Sequence, residues 1–340
     1  MRCKHGSKTS KLGYSARLVM IEEYLLNFFK KRFLNLKSDI AIWCEELAAS
    51  SEQESQTVFI SSVNVVSAKA DSILYPCWMF FHQVVMPMML NYLKRRDFTI
   101  VVIDIHDNWG ISKFDRKLLK VCDLYFKREL PTNPWQALVV ATGGTRHPGY
   151  LRKNESNHKH IKKLRPVSLG VRDSDVLNEL DLTKKNCDVF YVGESRDVPS
   201  RNNMKNLCAQ LSQRGWKVNY QTERMSKEAY LKALENSWLC LSPCGNGWDC
   251  FRHYEAGGHG ALPVMDFSSN TLYAGFNPMT QGVYCDLANK DAADIIDNLL
   301  TNRDVLINRL NATHQQVLKY HCNSQIVKYI LAEIEAIEIN

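Results

Sequence analysis

The chain has 340 residues, enough for two domains and short for three. A hydrophobic share of 45% with 23% charged residues belongs to a globular protein and excludes disordered and fibrous classes. The net charge of +7 calls for an anionic partner without choosing among nucleotide, phospholipid headgroup and nucleic acid.

The opening MRCKHGSKTSK is basic, but no apolar core or cleavage site follows, so no signal peptide is expected. Apolar spacing predicts a helix over Ala16–Phe33 that ends in a basic cluster, Lys30 to Arg32, and packs on the core. Short β-rich runs follow at Asp39–Cys44, Thr57–Ser62, Thr99–Ile105 and Ala137–Ala141. Helices are expected between them over Met79–Arg95 and Lys113–Val121. The apolar run Tyr75–Leu93 approaches spanning length. Pro76, Pro87, His82, Gln83 and Asn91 interrupt it, so it reads as a buried, kinked helix and not as a membrane anchor. The eleven cysteines are scattered, which fits reduced, buried side chains and a cytoplasmic setting, with peripheral membrane contact left open by the basic segments.

The composition shifts over residues 147–185: a polar, basic run is followed by PVSLGVRDS, read as a short apolar strand leaving the domain, and then by acidic and polar residues into Lys184–Lys185, read as the linker. The second half then alternates regularly. Strands are predicted at Asp188–Val192, Lys217–Gln221, Trp238–Ser242 and Leu262–Asp266. Helices are predicted at Asn203–Arg214, Ser226–Glu235 and Asp249–Gly257, with Lys290–Leu310 and Ser324–Ile337 closing the chain. That series predicts an α/β protein with two Rossmann-like, doubly wound domains facing a cleft. The expected boundaries are an acceptor-side domain at 1–168 and a nucleotide-sugar domain at 185–320, with a C-terminal helix at 321–340 packing back on the first. In such sheets ligands sit at the carboxyl ends of strands, here residues 193–196 and 242–249.

The most informative stretch is Ser242–Val264, SPCGNGWDCFRHYEAGGHGALPV. A strand ends, a turn with Gly245, Asn246 and Gly247 follows, and a helix opens near Asp249. A glycine turn before a helix N-terminus suits a diphosphate. Arg252 and Glu255 lie three apart, hence on one helix face, beside Tyr254. Arg252 can neutralise phosphate oxygens, and Glu255 can accept hydrogen bonds from two ribose hydroxyls. Singly, such a pair is an ordinary surface ion pair and such a turn an ordinary turn; together, at a strand end, they favour a nucleotide.

This run resembles the donor-binding signature of GT-B glycosyltransferases, particularly the exostosin-like and group 1-like families, and DLYFKRE at Asp123–Glu129 adds a weaker likeness. The resemblance implies Glu255 as the ribose ligand and Arg252 in the phosphate site. It also makes VGESR, with Gly193, Ser195 and Arg196, the glycine turn facing the donor. Many retaining members carry a second Glu eight residues before the ribose Glu. Gly247 stands there in this chain, which leaves the stereochemistry open.

In the first half, DIHDNWG follows the strand Thr99–Ile105. A sugar hydroxyl needs a base to take its proton, and Asp107, then His106, are the candidates; the same residues would also serve as a turn capping the next helix. Cys244, Cys250, His253 and His259 match no familiar zinc spacing, and Asp173-Ser174-Asp175 follows an interdomain strand, so no metal is expected. The implied activity moves a sugar from a nucleoside-diphosphate sugar to a carbohydrate, lipid-linked or protein acceptor, with no cofactor and no nucleic acid partner. The alternatives are a sugar-nucleotide epimerase of the same fold, or a non-catalytic protein that binds sugar nucleotide or nucleic acid.

Overall fold

Short apolar runs become strands, and the longer periodic runs between them become helices, throughout the described residues of the computed structural model. These are 57–61, 88, 90–91, 94–95, 99–111, 115–138, 159–194 and 198–338. The expected helix Ala16–Phe33 and strand Asp39–Cys44 lie outside them, as does most of Met79–Arg95; of that helix, Met88, Leu90, Asn91 and Lys94 are described and helical.

Strand β1 (Thr57–Ser61) runs parallel to β2 (Thr99–Asp104), with Thr57 opposite Thr99 and Ser61 opposite Ile103. Helix α1 (Asp115–Val121), β3 (Leu124–Lys127) and β4 (Leu164–Pro166) follow, in the sheet order β1-β2-β3-β4. Packing divides the chain into two units, Met1–Ile103 with Lys117–Tyr125 and Asp104–Arg116 with Phe126–Asn340. In the first unit, Ile100 N donates to the Asp123 carboxylate at 3.0 Å, and the Lys94 ammonium meets the same group at 2.7 Å.

The second unit holds a sheet in which β5 (Cys187–Val192), β6 (Val218–Gln221), β7 (Ser237–Ser242), β8 (Leu262–Met265) and β9 (Val283–Tyr284) are all parallel. Helices α2 (Pro199–Gln213), α3 (Lys227–Glu235) and α4 (Phe251–Gly258) make the crossovers. Helices α5 (Ala292–Thr301), α6 (Arg303–Gln316) and α7 (Asn323–Glu338) end the chain, with a π-helical turn at Val317–His321 before the last. Alternation along β5 places Val189 and Tyr191 in one core with Met204, Leu207, Leu211 and Ile296, while Phe190 packs on the other face with Leu234 and Ala256. Apolar residues on both faces require helices on both sides. The strand order β6-β5-β7-β8-β9 reverses direction between β5 and β7, the doubly wound pattern expected of this half.

Several elements differ from expectation for local reasons. Pro134–Leu138 is a 3-10 helix and not the start of a strand at Ala137; Pro134 presets a helical φ, and the Asn133 side chain accepts from Trp135 N at 3.3 Å. The single helix expected over Lys290–Leu310 breaks at Asn302, which leaves helical geometry at φ −94°, ψ 72°, its amide side chain donating to Asn298 O at 2.7 Å. Helix α2 begins at Pro199, four residues early, because proline suits the first helical position. Helix α7 packs on β4: the Tyr329 hydroxyl donates to Pro166 O at 3.1 Å and Glu333 meets Arg165 at 2.5 Å. Among the described residues no helix is long and apolar enough to cross a membrane.

Candidate functional site

The turn after β7 is built by its own residues. Burial pushes the His253 imidazole down to about 4, so it stays neutral. A neutral ring whose Nε2 faces the Trp248 carbonyl at 3.0 Å donates there, and Nδ1 accepts from the Ser242 hydroxyl at 2.7 Å. Those two bonds fasten both ends of residues 242–248. Cys244 N donates to the Asp266 carboxylate at 2.9 Å, and Gly245 N to Gly247 O at 3.0 Å. Helix α4 then starts at Phe251, two residues later than expected, behind an extended Cys250 that supplies no side-chain cap. His253 N donates to Cys250 O at 3.1 Å, and the Phe251 and Arg252 N–H groups with the positive dipole end face the turn without a side-chain cap.

A pocket of about 360 Å³ opens at this point, lined among others by Arg128, Arg201, Arg252, Glu255, Asp107 and Tyr230. It sits where β5 and β7 diverge in strand order, the position at which doubly wound sheets bind ligands. Arg252 donates to Val192 O, the last residue of β5, at 2.6 Å, and its guanidinium lies 5.5 Å from the Tyr191 ring centroid. Gly193 permits this arrangement: a Cβ there would stand 2.8 Å from the Tyr191 hydroxyl. One turn on, Glu255 Oε2 accepts from the Tyr230 hydroxyl at 2.9 Å. Burial raises the Glu255 carboxyl, against the opposing Tyr230 bond and Arg252 charge, and raises Tyr230 well above its ordinary value.

Two residues absent from the sequence expectations complete the cationic wall. Arg201, on α2, donates through Nε to Cys244 O at 2.8 Å. Arg128, just after β3, is buried and bonded through both terminal nitrogens: to Asp107 at 2.7 Å, Glu129 at 3.1 Å, Ile105 O at 2.9 Å and Asp249 O at 2.9 Å. Burial would lower its pKa, but the Asp249, Glu129 and Asp107 charges outweigh that and raise it. Arg128 is thus neutralised by carboxylates, whereas Arg201 and Arg252 have no carboxylate partner within ion-pair distance among the described residues. Unpaired arginines beside an uncapped helix start suit a doubly charged anion. Beneath them, Lys127 and Asp104 form a fully buried pair at 3.1 Å, and the Asp104 carboxylate also accepts from His106 N at 3.0 Å.

The structure gathers Asp107, Gly245, Asn246, Gly247, Asp249, Arg252 and Glu255 around the pocket, with Gly193 behind Arg252. It does not bring every expected residue there. Tyr254 is buried with its hydroxyl 2.5 Å from Asp249 Oδ1 and its ring 4.5 Å from His321, so it supports the wall from behind. Asp249 is no helix cap; its carboxylate accepts from Leu169 N at 2.8 Å, and burial raises it to about 6. His106 is half-buried and is not among the pocket's walls. Ser195 and Arg196 lie outside the described residues. Asp173 accepts from Ser324 N at 3.1 Å and Asp175 pairs with Lys227 at 2.7 Å, both structural contacts. Among the described residues no group of three or more His, Cys, Asp or Glu side chains is placed to hold a metal ion.

A model of the RXYLT1 C-terminal domain matches residues 194–281, a stretch that contains the turn, α4, Arg201 and Tyr230. No curated protein matches the sequence. Among solved structures, an alpha-glucosyltransferase in complex with UDP and a 13-mer DNA aligns at 11% identity and TM-score 0.49, covering 86% of this chain and 82% of that one. Sucrose-phosphate synthase from Thermosynechococcus elongatus aligns at 10% identity and TM-score 0.45, covering 88% and 77%. TarM aligns at 11% identity and TM-score 0.42, covering 72% of this chain but 57% of TarM, so the chain spans less than two thirds of that protein. The chain is a mixed α/β protein with parallel sheets, and its residues 194–281 are similar to the RXYLT1 C-terminal domain.

Proposed function

We propose that the chain moves a sugar from a nucleoside-diphosphate sugar to an acceptor hydroxyl. The observation that supports this most is the placement of two carboxylate-free arginines, Arg201 and Arg252, beside the uncapped start of α4 at the reversal of strand order. A diphosphate would lie against that helix start between the two guanidiniums, and Glu255, with Oε2 held by Tyr230, would take the ribose hydroxyls through Oε1. The leaving diphosphate would be stabilised by arginines and helix N–H groups, without need of a metal. Asp107, which lines the same pocket and is fixed by Arg128, would accept the acceptor's proton as the anomeric bond to the diphosphate breaks.

A thermal-shift panel of nucleoside diphosphates and sugar nucleotides tests the reading, since a ligand at a hundred times its dissociation constant stabilises by about 2.7 kcal/mol. The expected result is stabilisation by at least one diphosphate, and slow release of nucleoside diphosphate from the matching sugar nucleotide. Stabilisation by none would end the proposal.

A further inference from the structure

Two of the pocket's arginines meet the same turn at different residues. A terminal nitrogen of Arg201 lies 3.2 Å from where a Gly245 Cβ would stand, and a terminal nitrogen of Arg128 lies 2.6 Å from the corresponding point on Gly247. Their surroundings differ in charge. Arg201 and Arg252 donate to backbone carbonyls, Cys244 O at 2.8 Å and Val192 O at 2.6 Å, and meet no carboxylate within ion-pair distance among the described residues. Arg128 meets three, Asp107 at 2.7 Å, Glu129 at 3.1 Å and Asp249 at 3.8 Å. One guanidinium against three carboxylates leaves that part of the site with negative charge in excess. Lys127 does not offset it, because its ammonium is buried against Asp104 at 3.1 Å. The buried carboxylates are met by hydrogen-bond donors: Glu129 accepts from Asp249 N at 3.0 Å and from the Asn270 amide, and Asp249 accepts from Leu169 N at 2.8 Å. Burial raises Asp249 to about 6, which still leaves it ionised at neutral pH.

We infer that the site selects a donor sugar without an acidic group, a neutral hexose, pentose or N-acetylhexosamine and not a hexuronic acid. The inference rests on the transferase reading and narrows its donor. A sugar nucleotide with its diphosphate on Arg201 and Arg252 and its ribose on Glu255 has only its sugar left to place. The charged wall that remains in the pocket is Arg128 with Asp107 and Asp249. A carboxylate on the sugar would leave water to stand beside that excess of negative charge, and the one cation on this wall is already shared among three carboxylates. Hydroxyl groups meet the same wall without repulsion, because they donate to carboxylate oxygens and accept from a guanidinium. A glucose and a glucuronic acid differ only at C6, so the charge of that one group decides between them.

The test is calorimetric titration of the full chain at neutral pH with nucleoside diphosphates and with their glucose, galactose, xylose, N-acetylglucosamine, glucuronic acid and galacturonic acid conjugates. At least one neutral conjugate should bind within about threefold of its nucleoside diphosphate or more tightly. The uronic acid conjugates should bind about tenfold or more weakly than the hexoses they match. Asp107→Asn, a change at a half-exposed side chain, should narrow that gap threefold or more, and Glu129→Gln should narrow it in the same direction. A uronic acid conjugate that binds as well as its hexose overturns the inference. So does a gap that Asp107→Asn leaves unchanged, or binding of a nucleoside diphosphate without any neutral conjugate. Failure of every nucleoside diphosphate to bind the parent is a separate result and overturns the transferase reading itself. If Glu129→Gln does not fold, the Asp107→Asn titration decides alone.

Discussion

A terminal nitrogen of Arg128 lies 2.6 Å from where a Cβ on Gly247 would stand, and the Glu129 carboxylate is closer still. Both groups are buried and bonded to Asp249, Arg128 to its carbonyl and Glu129 to its N–H, so neither can swing aside. Gly247→Ala is expected to displace the turn and weaken nucleoside-diphosphate binding about tenfold or more. Gly245→Ala should cost less, because the nearest atom there is a terminal nitrogen of Arg201 at 3.2 Å. Calorimetry on both variants checks the order; equal effects would contradict it.

Arg201→Ala should weaken a nucleoside diphosphate by about 1.5–3 kcal/mol, the scale of a charge-assisted hydrogen bond, while leaving the affinity for the nucleoside alone unchanged. Arg252→Ala should do the same, and Glu255→Ala should weaken both ligands, since it would contact ribose. A loss for the nucleoside on removing Arg201 would show a different site.

Asp107→Asn is expected to lower turnover about 10²–10⁴-fold with donor affinity nearly constant, as for a positioned base. His106→Ala should remain within a few-fold of the parent, because its imidazole is not a pocket wall. If both variants turn over normally, another group takes the proton.

Asp249 carries a pH signature. Burial raises its carboxyl from 3.8 to about 6 in the folded chain. An acid raised on folding favours the native state when protonated, so its contribution is complete below the unfolded value and is lost as pH rises through about 6. The loss is about 3 kcal/mol. Asp249→Asn should flatten this decline when denaturant midpoints are compared between pH 4 and pH 7. Parallel curves for parent and variant would show that the residue does not titrate in that window.

Lys185 makes a cage contact remote from the pocket walls. Its ammonium donates to Glu235 O at 2.7 Å, Ser237 O at 2.8 Å and Gly260 O at 2.7 Å, and burial pushes it down to about 8. Lys185→Met should strand those carbonyls and cost about 2–4 kcal/mol in denaturant unfolding. A midpoint unchanged from the parent would make the cage dispensable.

The parts of the site legible in the sequence are those encoded locally. Arg252 and Glu255 share a face because they are three apart on a helix, and the turn before it is announced by Gly245 and Gly247. The second sheet was legible for the same reason, since alternation and helix period are short-range signals. Arg128 and Glu129 lie about 120 positions from the turn they bind, as the separations of 121 and 120 residues show, and no spacing rule connects them. Tyr254 sits beside Arg252 and Glu255 in sequence, yet the helix turns it inward toward Asp249 and His321. Asn302 and Pro134 misled for another reason. A side-chain hydrogen bond or a ring constraint at one residue overrode the apolar pattern around it.

Among the described residues strand β4 is last in its sheet order, and an outermost strand offers unpaired N–H and C=O groups to any extended chain it meets. Helix α7 guards that side, with Tyr329 on Pro166 O and Glu333 on Arg165. Its residues are therefore expected to shield β4 from such pairing. Removing them would leave the pocket's own residues in place and yet expose an edge prone to templating aggregates.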